Sequence, residues 1–201
     1  MTAMTAKPRA RYTRLSSEDR RAALIAAALA CIAEGGIRAF TVDRIIDKAR
    51  VSRGLITHHF GTMDALLAAV YAQIYATSVP TFDDVPPARP LILALLDHFF
   101  SPALFNREFL NIWLTLWAEI SNTPDLKAEH RAQYQGYHAM IAAALTAAAP
   151  NLPNADALAR SLICLVDGLG LQHCIDPDAM PATLARQCCL DLLTPQLGPL
   201  T

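Results

Sequence analysis

A one-sided apolar stripe, Val42, Ile45, Ile46 and Ala49, occupies positions i, i+3, i+4 and i+7 of a short helix that Thr41 is placed to cap. Only Arg50 and Val51 separate it from Ser52, which is placed to cap a second short helix. Two helices joined by so tight a turn form a helix-turn-helix, and their stripes need a third helix to pack on. The segment before them supplies it. Ser16 followed three residues later by Asp19 makes a capping-box-like start, Ile25, Ala28, Leu29 and Ile32 share one face, and Gly35 and Gly36 make the stop.

The rest of the chain is helical in pattern as well. Ala fills the periodic runs, β-branched alternation is nearly absent, and prolines fall between runs, so the expected fold class is all-α. The stretch "PTFDDVPPARP", with four prolines and two acids, separates a linking helix over Met63–Ser78 from the C-terminal part of the chain. Later helices are expected at Leu91–Phe100, Arg107–Ser121, Asp125–Ala148, Asp156–Ile175 and Pro181–Leu193. The domain expectation is therefore a basic arm plus helix-turn-helix over residues 1–61, then a linking helix and helical bundle over 62–201. With 53% apolar residues, 201 residues can bury a substantial core.

Charge divides along the same line. Residues 1–61 carry eleven Lys and Arg against five Asp and Glu, and residues 62–201 carry six against thirteen. A basic front half suits a polyanionic partner, and an acidic remainder suits a different task. Arg9, Arg11, Arg14, Arg20 and Arg21 are candidate phosphate contacts, the first three on an arm. No run of 18 residues is purely apolar, and the basic start is not followed by an apolar stretch. No membrane partner and no secretory signal are expected, which points to a cytoplasmic protein. The five cysteines, Cys31, Cys164, Cys174, Cys188 and Cys189, are odd in number and without CxxC spacing, against both a disulfide framework and a zinc site. Cys188 and Cys189 read as ordinary buried cysteines or as a thiol sensor.

His58 and His59 invite a metal reading, but consecutive helical side chains diverge by about 100°, so the pair cannot share one ion. No metal, cofactor or catalytic residue is expected. On the same helix Ile56 and Phe60 face inward, while Gly54, Leu55, Thr57 and His58 span the outer arc, with His59 at one edge and Arg53 at the head. Such a face suits a major groove. Gly54 permits close approach, Thr57 and His58 can hydrogen-bond bases or phosphates, and Leu55 can touch a thymine methyl. A merely solvated polar face would read the same way in isolation.

The run "AAALACIAEGGIRAFTVDRIIDKARVSRGLITHHFGTMDALLAAV", Ala26 to Val70, resembles the DNA-binding domain of the TetR family of bacterial regulators. The resemblance lies in the capped short helix, the "VS" turn, a basic residue before Gly54, and "HHF" followed by Gly61 and a Leu–Leu pair. It implies DNA contacts at Arg53, Gly54, Leu55, Thr57, His58 and His59, with Thr41 on a phosphate, and double-stranded operator DNA as partner. Two departures stand out. Arg50 occupies a turn position that is often Gly in the family, so the turn either changes geometry or strains a non-Gly residue. Met63 stands where a Lys often follows the second loop, removing one phosphate contact.

In the bundle, "REFLNIWLTLWAEI" places Phe109, Trp113, Leu116, Trp117 and Ile120 on one face. With "LVDGLGLQHCID" it resembles the effector domain of the choline-responsive BetI-type branch, which implies a small-molecule effector. The candidate ligand-binding residues are Phe109, Trp113, Leu116, Trp117 and Asp167, with Glu108, Glu119 and Asp97 as other acids nearby. Two readings stay open, a box for a cation held over Trp faces and a plain apolar core. Leu158, Leu162, Leu165 and Leu169 line one late helix, and Leu184, Cys188 and Leu192 another. Leu165, Leu169, Leu184, Cys188 and Leu192 are the expected homodimer contacts, with Gly168 and Gly170 allowing close helix approach. The competing class is a helical enzyme or carrier using His98, His130, His138 and His173, but none of these has a motif partner. A ligand-responsive transcriptional repressor is the expected function. Whether Met1 or Met4 is the start stays open.

Overall fold

The computed structural model describes residues 16–79 and 85–200, and among these the secondary structure is nine α-helices and one 3-10 turn, without strands. The arm with Arg9, Arg11 and Arg14 lies outside the described residues.

Helix α1 (Ser17–Gly35) starts where its cap directs. The Ser16 hydroxyl accepts from the Asp19 amide at 3.0 Å, and the Asp19 carboxylate accepts from the Ser16 amide at 3.0 Å, which holds the Asp19 carboxyl below its ordinary value. The helix ends at Gly36, whose φ of 60° admits glycine readily, and a 3-10 turn follows over Gly36–Ala39. Gly35 is required for another reason, because a Cβ there would lie 2.9 Å from that of Ala39.

Helix α2 (Val42–Ala49) begins under the Thr41 hydroxyl, which accepts from the Arg44 amide at 3.5 Å. It is tied to α1 by Glu34, which pairs with Arg44 at 3.2 Å and Lys48 at 2.6 Å. It closes on Arg50 in the left-handed region, φ 54° and ψ 47°. Of the two outcomes foreseen for the turn, the chain adopts the one that strains a non-Gly residue. Helix α3 (Gly54–Phe60) departs from expectation at its start. It is the Ser52 carbonyl, not its hydroxyl, that takes the Leu55 amide at 3.1 Å, and no side chain caps the helix.

Helix α4 (Met63–Ser78) is capped by Thr62, whose hydroxyl accepts from the Ala65 amide at 3.0 Å. Then come α5 (Arg89–Phe99), α6 (Arg107–Ile120), α7 (Pro124–Ala148), α8 (Ala155–Ile175) and α9 (Ala182–Leu197). Asn106 caps α6 by accepting from the Phe109 amide at 2.9 Å. Helix α9 runs one turn past the expected end at Leu193, through Pro195, because Leu197 is buried and Arg89 donates to the carbonyls of Leu197 (2.7 Å) and Pro199 (3.0 Å).

Two apolar cores result. The first joins α1, α2 and α3 to Leu66, Leu67, Val70, Tyr71 and Ile74 of α4 and to Ile112 and Leu116 of α6. The second lies among α5, α7, α8 and α9, with Leu110 of α6 against it. Ser17–Ala39 and α8 are long and apolar enough by composition to cross a bilayer, although neither is purely apolar. In the fold Leu24, Ala28 and Ile32 of the one and Leu162 and Ile163 of the other are spent on these cores.

Candidate functional site

Two places gather the chemistry, the outer face of α3 and a cavity between α4, α6, α7 and α8. On α3, Ile56 is buried in the first core and Phe60 packs against it, with the Arg21 guanidinium 5.0 Å over the Phe60 ring. Gly54, Thr57 and His58 are exposed, Leu55 and His59 half-buried. A Cβ on Gly54 would meet nothing within 4 Å, so its own fold does not require a glycine there, and the free space faces outward. Arg53 is exposed and ion-paired with Asp43 of α2. His59 stacks edge-on to His58, with its Nε2 enclosed and without a protein partner. The Thr41 hydroxyl is used as a helix cap, though the residue itself is exposed.

The cavity, about 140 Å³, is walled chiefly by rings: Tyr71 and Tyr75 of α4, Phe109, Trp113 and Trp117 of α6, and Tyr134 and Tyr137 of α7. Tyr71 stands edge-on to Trp113 at 5.5 Å between ring centres, and Trp113 lies 5.7 Å from Trp117. Burial pushes the Tyr75 hydroxyl up to about 12 and raises those of Tyr71 and Tyr137 well above the ordinary phenol value, so these phenols stay protonated. Tyr71 Oη and His130 Nδ1 are hydrogen-bonded at 2.8 Å, and Tyr75 donates to the Gln133 carbonyl (2.7 Å). Burial lowers the His130 pKa, which favours the neutral imidazole.

Asp167 of α8 is the one acid on this wall, which carries no Lys or Arg among the described residues. No protein donor or cation among them reaches its carboxylate, and burial pushes its pKa up to about 7. A carboxylate facing a ring-walled cavity is matched in charge and shape by a small organic cation.

Of the sequence candidates, Phe109, Trp113, Trp117 and Asp167 meet in this cavity, and Leu116 does not. Leu116 is fully buried in the first core, about 100° around α6 from Trp117. Asp97 is taken by Arg186 at 2.8 Å, and Glu108 and Glu119 stand off the wall. Tyr71, Tyr75, Tyr134 and Tyr137 were missed, and His130 was named only for the competing enzyme or carrier class, although Tyr71–Tyr75 and His130–Tyr134–Tyr137 follow helical spacing as plainly as the tryptophans.

On α8 and α9, Leu184 is 44% exposed, while Leu165, Cys188 and Leu192 are half-buried against their own chain. Leu169, at 6% exposure, is turned into its own core, so the expectation of an outward contact is corrected there. Leu171 (41%) and Ile175 (69%) are the further exposed apolar residues. Gly170 does serve a close approach, but within the chain, since a Cβ would lie 3.1 Å from Leu110 of α6. The four candidate histidines lie apart. His98, His138 and His173 bond the carbonyls of Ser78, Asp156 and Met180, and His130 bonds Tyr71.

A helix-turn-helix whose core is completed by helices that also wall a cavity has the two-part architecture of a helix-turn-helix transcriptional regulator. Residues 24–70 match the family model for bacterial regulatory proteins of the tetR family, and residues 88–198 match that for the C-terminal domain of BetI-type transcriptional repressors. The chain belongs to the TetR family, with a BetI-type C-terminal domain, and is a regulator, not an enzyme. Regulators of this family bind operator DNA and small-molecule effectors. The chain is similar to the HTH-type transcriptional regulator BetI 1 of Chromohalobacter salexigens, 30% identical over 89% of this chain and 91% of that protein. It is also similar to BetI of Burkholderia mallei, 28% identical over 90% and 95%. Among solved structures, a transcriptional regulator from Pseudomonas aeruginosa PAO1 superposes with a TM-score of 0.79, 30% identity, and coverage of 92% and 94%. One from Saccharomonospora viridis, in complex with choline, superposes with a TM-score of 0.75, 24% identity, and coverage of 89% and 96%.

Proposed function

We propose that the chain acts as a homodimeric repressor that leaves a palindromic operator when a small quaternary ammonium compound enters the cavity. The observation that carries this reading is the unpaired Asp167 carboxylate inside a wall of aromatic rings. A primary ammonium brings N–H donors that need acceptors, whereas most of this wall is ring face. A fully alkylated head has none to satisfy and is held by ring faces. The choline in the S. viridis regulator is of this kind. Helices α4 and α6 supply both cavity residues and first-core residues, so a ligand that prefers one arrangement of these helices biases the spacing of the α3 helices in a dimer. On this reading Arg53, Gly54, Leu55, Thr57, His58 and His59 face the groove.

The test is anisotropy of labelled DNA from the upstream regions of its own and adjacent genes, titrated with the full chain with and without choline. We expect a palindromic site whose affinity falls at least about tenfold with saturating choline, roughly 1.4 kcal/mol of coupling, and is lost in His58→Ala. Affinity unmoved by choline would sink the effector assignment, and absence of any preferred site would sink the operator reading.

A further inference from the structure

The charge inventory of the cavity is short. Asp167 is its one acid among the described residues. The groups facing it from α4 are Tyr71 and Tyr75, and from α7 His130, Tyr134 and Tyr137; α5 and α6 bring Phe99, Phe109, Leu110, Trp113 and Trp117, none titratable. Burial raises the phenols and lowers His130, so all five are neutral near pH 7. Two full charges act on the phenols from outside the wall, and neither shifts Asp167, which is raised by burial alone. Glu129, felt by Tyr71, accepts from Gln133 at 2.7 Å, and Arg160, felt by Tyr134, is paired with Asp156 at 2.9 Å. On α8 itself Cys164 is exposed, and His173 bonds the Met180 carbonyl at 2.9 Å.

A site to which the described residues bring one carboxyl and no cation is electrically balanced by them in two ways only. It can hold a proton, or it can hold a ligand of net charge +1. Resting on the quaternary ammonium reading above, we propose that Asp167 is a proton-exchanging charge filter: a permanent cation enters as the Asp167 carboxyl gives its proton to solvent, and a zwitterion or neutral molecule of the same shape is refused. The exchange balances, since one O–H bond breaks, the electron pair stays on the carboxylate, the proton goes to buffer, and one positive charge replaces another. Burial pushes the Asp167 carboxyl up to about 7, and a bound cation pulls it lower. Apparent affinity for a permanent cation therefore climbs up to about tenfold per pH unit below that value and levels above it. A zwitterion carries a second carboxylate into a wall without Lys or Arg. It becomes tolerable only at low pH, when protonated Asp167 can donate a hydrogen bond to it.

Isothermal titration of the full chain tests this with three probes of one shape: choline, whose charge does not titrate, its uncharged carbon analogue 3,3-dimethylbutan-1-ol, and the zwitterion trimethylammonioacetate. Each is measured from about pH 5.5 to about pH 8.5, in buffers of different ionisation enthalpy so that protons are counted directly. Expected are nearly one proton released per choline at the acid end and almost none at the alkaline end, at least tenfold tighter choline binding at the alkaline end, and a preference for choline over both other probes that widens with pH. Asp167→Asn should lose the pH dependence and narrow the preference for choline over the neutral analogue. Choline binding with equal affinity and no proton release across the range overturns the proposal, and leaves the effector reading standing. No choline binding at any pH overturns that reading and this proposal with it. The wild-type proton count decides the matter even if the variant does not fold.

Discussion

Arg50 is a residue whose cost can be read from its backbone alone. A left-handed conformation brings the Cβ of an L-residue against its neighbouring carbonyl, at about 1–2 kcal/mol, and part of that is recovered by glycine despite its larger unfolded-state entropy. Arg50→Gly should raise the melting temperature by roughly 1–4 °C in a chain of this size, read by thermal unfolding. A lower melting temperature would mean that the arginine side chain contributes more than the turn costs. The need for a special residue here was legible only through the family resemblance, in which Gly often stands where this chain has Arg50. The αL conformation itself was one of two options, and only the fold chooses. Ser52 teaches the reverse. A capping residue type stood in the right place, yet the turn delivers its carbonyl and not its hydroxyl to the next helix, a matter of backbone direction that residue type does not encode.

At the scale of elements, α6 is the piece that belongs to both halves. Ile112 and Leu116 enter the first core, and Trp113 and Trp117 face the cavity. Two truncations should separate these roles. Leu116→Ala opens a cavity in a closed core and should cost about 2–5 kcal/mol of stability, with or without choline. Trp117→Ala removes one ring from a half-open wall. It should weaken choline by about 2- to 30-fold, the range of one cation–π contact, while the melting temperature of the unliganded chain moves far less. If Leu116→Ala leaves stability unchanged, the packing of α6 into the DNA-binding half is wrong. Helix boundaries were legible to within a few residues, because caps and prolines are local signals. Which side of α6 faced which neighbour was not. Phe109, Trp113, Leu116 and Trp117 form one apolar arc, and dividing that arc between the first core and the cavity depends on where α1, α4 and α7 arrive. The tyrosines of α4 and α7 were missed for the same reason, since each pair lies on its own helix and convergence on one space is a tertiary fact.

Across the whole molecule, the basic front and acidic remainder allow one surface to approach DNA while the other is kept from it. A single seven-residue α3 offers few contacts, so useful operator affinity on the proposed reading depends on two copies reading half-sites about one helical turn of DNA, or a multiple of it, apart. The exposed Leu171 and Ile175 of α8 and Leu184 of α9 are the apolar positions that the C-terminal helices offer, on the proposed reading, for pairing the copies. Ile175 and Leu184 lie outside both apolar cores, so charges placed there should leave each chain folded. The double change Ile175→Asp with Leu184→Asp is expected to halve the mass seen by light scattering and to leave the helical signal intact. It should also weaken operator binding by several tenfold steps and reduce its steep salt dependence by about half, because each monomer then releases only its own share of counterions. A variant that keeps the native mass would move the pairing surface elsewhere. A halved mass with undiminished operator affinity would mean that one α3 suffices, and the palindromic reading would fall with the dimer.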